Sequence, residues 1–193
     1  MTELNLNRIE ELVREILIEI GEDPDREGLV ETPKRVAKAL KEMTASTCKT
    51  EFTEGKMFPT ETSQASQMVS VNNIPFYSMC EHHMLPFFGT VNVGYLPQEG
   101  KIIGLSKIPR LVDYVSKKLN VQENITRNVA DILMEITNAR GVAVVVDARH
   151  MCVEMRGVAK TNSVTRTTYF LGAFNDDVQL RNEFLQSLPK VIH

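Results

Sequence analysis

The chain has 193 residues, enough for one compact domain with a helical extension. Hydrophobic residues make up 42% and charged residues 24%, so a sizeable core can form without disulfides. A formal net charge of -3 excludes general attraction to nucleic acid or an anionic membrane, though a local Lys/Arg cluster could still hold an anionic small molecule.

The opening segment is charged and amphipathic and does not follow the pattern of a secretory signal. The longest aliphatic run, Val142 to Val146, is too short to cross a bilayer. Three cysteines, an odd number, do not suit a disulfide framework, and a reducing cytoplasm is expected.

Ile9, Leu12, Val13, Ile16, Leu17 and Ile20 recur at helical spacing, with Gly21 as the stop. A second helix should begin at Thr32-Pro33, with threonine as N-cap and Val36, Ala37, Leu40 and Met43 as its apolar stripe. Residues 44–66 are polar, lack a period and read as a loop. The chain thus divides into a helical extension with linker (1–66) and a main domain (67–193).

From Met68 the pattern becomes β. MVSVNNIPF is followed by a loop, YSMCEHHMLP, and then by FFGTVNVGYLP, where Val91, Val93 and Tyr95 alternate with Thr90, Asn92 and Gly94. Two helices follow. The first is capped by Ser106 and carries Ile108, Leu111, Val112 and Val115. The second spans about Gln122 to Arg140 and ends at Gly141. Strands return as GVAVVVDA, RHMCVEMRGV and SVTRTTYFLG, and a last helix lies near Val178 to Leu188. This order predicts an α+β domain with a mostly antiparallel sheet and a helix pair inserted between strands.

Two motifs carry metal chemistry. In Cys80-Glu81-His82-His83, the C-x-x-H spacing lets a thiolate and an imidazole reach one metal from a short loop. In the run from His150 to Arg156, a strand would put Met151, Val153 and Met155 on one face. His150, Cys152, Glu154 and Arg156 would share the other. Together these motifs propose Cys80, His83 and Cys152 as three zinc ligands with an open fourth position for water, a catalytic arrangement. His82 and His150 would then lie nearby to move protons. A closed structural site, with His150 or His82 as fourth ligand, is the alternative.

Lys107 and Arg110 stand three apart at a helix start, where backbone N–H groups also favour anions. Arg156 and Arg35 complete the basic set. The chain has no glycine-rich phosphate loop, so a phosphate-bearing substrate would be held by side chains and helix ends.

The strings SMCEHHMLPFFGTVNVGYLP, IIGLSKIPRLVDYVSKKL, NVQEN, ARHMCVEMRGVAKTNSVTRT and LGAF, with EGLVETPKRVAKAL before them, resemble the GTP cyclohydrolase I family over residues 25–188. The resemblance implies a tunnelling fold, in which sheets from several subunits form a barrel. It also implies a homodecamer with active sites at subunit boundaries. By position, Cys80, His83 and Cys152 match the zinc (Zn2+) ligands. His82 and His150 match the proton-transfer residues, Ser106 the serine linked to the later rearrangement, and Glu123 the carboxylate that anchors guanine. Gln122 is a further guanine-side candidate, while Lys107, Arg110, Arg156 and Arg35 match triphosphate contacts. The implied reaction converts GTP to 7,8-dihydroneopterin triphosphate and formate: hydrolytic attack at C8, ring opening, Amadori rearrangement and ring closure. It opens pterin and tetrahydrofolate biosynthesis.

Two positions depart from the family pattern: Asn124, where Arg is common, and Asn92, where His is frequent. Cys48 matches nothing. The rival readings are a tunnelling-fold relative that makes a different product from GTP and a non-catalytic zinc scaffold. A zinc nucleoside deaminase would show H-x-E with P-C-x-x-C, which is missing. A nitrile reductase of the same fold would lack the zinc set.

Overall fold

The computed structural model describes residues 4–60, 67–98 and 100–189. They fall into two compact units, Met1–Lys49 and Thr50–His193. The boundary expected between 66 and 67 abuts residues 61–66, which lie outside the described residues. Among the described residues, no helix is long and apolar enough to cross a membrane.

The first unit is a helical pair. Helix α1 (Leu6–Glu19) starts at Asn5, whose Oδ1 accepts from the Arg8 N–H at 3.1 Å, a conventional N-cap. It ends at Ile20, and Gly21 takes the left-handed backbone (φ +87°) that the following turn requires. Arg14 grips Asp25 with two bonds (2.9 and 2.8 Å), tying α1 to that turn. Helix α2 (Thr32–Met43) is capped at Glu31, one residue before the expected Thr32. Neither residue makes a side-chain cap bond, and Pro33 in the first turn supplies the start.

The second unit is built on a five-stranded sheet. Strand β1 (Met57–Pro59) forms inside the expected loop, pairing antiparallel with β4 (Lys101–Ile103). The main sheet contains β2 (Val69–Cys80), β3 (Pro86–Leu96), β5 (Leu119–Asn120), β6 (Gly141–His150) and β7 (Thr165–Gly172). Its order is β5-β2-β3-β6-β7, antiparallel except for the short β5–β2 pair. A bulge interrupts β2 between Val71 and Ile74. There Asn73 adopts φ +55°, and its N–H donates to Asn92 Oδ1 at 2.9 Å.

Helices α3 (Lys107–Ser116) and α4 (Gln122–Thr137) lie between β4 and β6 in the chain and cover one sheet face. Their Ile108, Leu111, Ile125, Val129 and Leu133 join Phe76, Val91, Val93, Val142, Val144 and Val146 in the main core. The opposite face is covered by α6 (Ala173–Asp176) and α7 (Val178–Ser187), whose Phe174 and Phe184 pack with Ala143, Val145 and Leu96. Strand β6 is thus buried on both sides, which explains the unbroken run Val142-Ala143-Val144-Val145-Val146. Glycine is needed at Gly94, where a Cβ would sit 2.7 Å from the Phe184 ring.

Two local expectations are corrected, and the Ser106 cap holds in position only. Helix α4 stops at Thr137, not Arg140: Asn138 takes the left-handed C-cap (φ +48°), while Gly141 begins β6. A short polar side chain tolerates that conformation, so a glycine was not required. Ser106 stands at the N-cap of α3 but makes no side-chain cap bond. The expected strand RHMCVEMRGV ends at His150 and turns into a single helical turn, α5 (Met151–Glu154). Its Met155 N–H donates to Met151 O at 3.1 Å, so the alternation of faces after His150 does not hold.

Candidate active site

The site is assembled by strand order. Strand β3 lies between β2 and β6, so the end of β2 and the end of β6 flank the start of β3. Cys80 closes β2, and the chain turns back over Glu81, His82 and His83, with the Met84 N–H donating to Cys80 O at 2.8 Å. The turn is anchored laterally, since the Glu81 N–H donates to Asn120 O of β5 at 3.1 Å. On the other side, Phe87 pairs in register with His150, and α5 then carries Cys152 inward.

Cys80 Sγ, a ring nitrogen of His83 and Cys152 Sγ lie within 4.8 Å of one another, and Cys80 Sγ is 3.9 Å from His83 Nδ1. Ligand atoms on tetrahedral zinc stand about 3.5–3.8 Å apart, given Zn–S of about 2.3 Å and Zn–N of about 2.0 Å. The three groups therefore need to close by only a few tenths of an ångström to about one ångström, and they can hold a metal ion. His82 Nδ1 is 3.8 Å from Cys80 Sγ, but this residue stays outside the three-residue cluster. Burial raises the Cys152 thiol pKa and the adjacent Cys80 raises it further, while Arg156 opposes them. Two crowded sulfurs resist sharing negative charge until a cation lies between them.

His150 is held by two neighbours. Its ring stacks on Phe87 with centroids 4.8 Å apart and planes 4° from parallel. Its Nε2 is 2.8 Å from Gln122 Oε1. Burial lowers its pKa, against the upward pull of Glu123 and Glu154. Glu123 is exposed in the first turn of α4.

The remaining expected residues are placed as follows. Ser106 is exposed, Lys107 opens α3, and Arg110 pairs with Glu54. Among the described residues, none of these three bonds to the cysteine cluster. Arg156 is exposed just beyond α5, and Arg35 is exposed on α2 in the other unit. Gln122 is buried, with its amide engaged inside the chain. Glu154 is not a site-facing group: Arg149 binds both its oxygens, at 2.8 and 2.5 Å, and that bond holds its carboxyl below the usual range.

Sequence reasoning missed two contributors. Phe87, the platform under His150, is one apolar residue in a strand and carries no local signal. The Arg149–Glu154 clamp has i, i+5 spacing, which matches neither strand nor helix periodicity.

The family model for GTP cyclohydrolase I matches residues 9–189. The chain is 60% identical to the bifunctional protein FolKE of Lactococcus lactis subsp. lactis, over 94% of this chain and 52% of that protein. It therefore spans about half the length of that relative. It is 58% identical to the GTP cyclohydrolase 1 of Latilactobacillus sakei, over 97% of this chain and 100% of that one. For the GTP cyclohydrolase 1 of Lactiplantibacillus plantarum the identity is 52%, over 97% and 98%.

Proposed function

The chain belongs to the GTP cyclohydrolase I family, and we propose that it hydrolyses GTP to 7,8-dihydroneopterin triphosphate and formate, with Cys80, His83 and Cys152 holding zinc. The observation that carries this reading is the convergence of those three side chains beside a His150 braced by Gln122 and Phe87. When bound, zinc supplies Lewis acidity and lowers the pKa of water from about 15.7 toward about 7.

The chain's own residues do the rest. Glu123 accepts from N1–H and the exocyclic amine of guanine, a donor pair adenine lacks. His82 gives a proton to N7 as the imidazole ring opens. His150 moves a proton as the ribose opens, and Ser106 serves the rearrangement that follows. Lys107, Arg110 and Arg156 hold the triphosphate. For Arg110 this means exchanging Glu54 for phosphate.

The working form is a homo-oligomer, a decamer by family, with sites at subunit boundaries. Exposed apolar side chains next to site residues support that reading: Met84 (52%), Leu105 (63%) and Met155 (64%). Chemistry that needs two reduced thiols suits the cytoplasm. The product feeds pterin and tetrahydrofolate synthesis.

The test is to incubate zinc-loaded protein with GTP and assay formate and the oxidised fluorescent pterin, with Cys152→Ala alongside. Both products from wild type, and neither from the variant, are expected. Formate without pterin identifies a relative with a different product. No GTP consumption by folded, zinc-replete wild type identifies a scaffold and sinks the reading.

A further inference from the structure

Gln122 is 1% exposed and fully engaged within the chain. Its Nε2 lies 3.0 Å from each of three oxygens: Val146 O, Thr165 O and Thr167 Oγ1. Two of these are backbone carbonyls, which can only accept. The NH₂ group must therefore point at them, and the amide cannot be turned over. The third is oriented the same way. Thr126 Oγ1 donates its hydrogen to Gln122 O at 2.9 Å, so the 2.6 Å contact between the two threonines takes its hydrogen from Thr167. Thr167 Oγ1 is left to accept from Gln122.

With the NH₂ group committed, Oε1 faces His150 Nε2 at 2.8 Å and can only accept. His150 must then donate from Nε2. In the neutral ring the lone pair falls on Nδ1, which has no protein hydrogen-bond partner among the described residues. Phe87, stacked on the ring face, fixes the plane in which that lone pair lies.

We propose that Gln122 is a positioning residue that sets the tautomer of His150, keeping the proton on Nε2 and leaving Nδ1 to exchange a proton with the substrate. The proposal rests on the reading of His150 as a proton carrier. It assigns Gln122 to the histidine in place of the guanine edge.

The test has two arms. Nitrogen-15 NMR of zinc-loaded, histidine-labelled protein at mildly alkaline pH reads the tautomer directly, with the His150 signals identified by their loss in His150→Gln. Wild type should show His150 with hydrogen on Nε2 alone. Gln122→Met should lose that preference, and Gln122→Glu, which keeps an acceptor oxygen, should retain it. In steady-state assays, Gln122→Met should lower kcat by about 10²-fold, the scale of lost general acid–base catalysis. The KM for GTP should change by less than about twofold, as expected when ground-state binding is untouched. A wild-type His150 with its hydrogen on Nδ1 overturns the proposal without need of any variant. So does a Gln122→Met that raises KM and spares kcat, the signature of a guanine contact. If wild type shows the Nε2 tautomer but consumes no GTP, the proposed function fails while the tautomer assignment stands.

Discussion

Arg149 and Glu154 close the turn that carries Cys152 between them, through bonds from Nε and Nη2 of 2.8 and 2.5 Å. Arg149 is the last residue of β6 but one, and Glu154 ends α5. The pair therefore fixes the angle at which the chain leaves the sheet and where Cys152 Sγ falls. Arg149→Met should weaken zinc affinity by about 10–100-fold, the usual cost of removing a group that orients a ligand. Competition with a chromophoric chelator measures this, and unchanged affinity would remove the clamp from the site.

The three-residue cluster lies where the ends of β2 and β6 flank the start of β3, at the margin of a main core that includes Cys80 but is built chiefly from apolar side chains of α3, α4 and the sheet. Chelation should therefore abolish formate release and leave the far-UV circular dichroism close to that of holoprotein. Restored turnover on adding zinc back completes the expectation. Loss of helical signal on chelation would instead make the metal structural.

Glu123 stands exposed in the first turn of α4, next to the buried Gln122. Glu123→Ala should raise the KM for GTP by about 10–100-fold, since a hydrogen bond to a charged group contributes about 1.5–3 kcal/mol. Titration with GTP at fixed zinc reads it. A fall in kcat with KM unchanged would give Glu123 a chemical role instead.

Phe184 is fully buried and packs on Gly94 and edge-to-face on Phe174, with centroids 5.9 Å apart. Phe184→Ala should cost about 3–5 kcal/mol. Gly94→Ala should cost about 1–3 kcal/mol, because the added Cβ would meet the ring at 2.7 Å. Urea melts give both values, and a neutral Gly94→Ala would show that Phe184 can shift.

Much of this is legible in the sequence. The alternation of Val91, Val93 and Tyr95 marks β3, and the aliphatic stripes of α3 and α4 mark their buried faces, because periodicity is local to the chain. The C-x-x-H spacing of Cys80 and His83 is local too, whereas Cys152 is singled out by a strand alternation that does not hold, and the structure still brings the three side chains together. Tertiary structure decided the rest. Met151–Glu154 fits a strand by alternation, yet a clamp from Arg149 draws it into a helical turn. Phe87 meets His150 only through the register of β3 on β6. Gln122 reaches Val146 and Thr165, 24 and 43 residues away, and so is turned toward His150. Register and amide orientation depend on partners distant in the chain, and residue spacing carries no record of them.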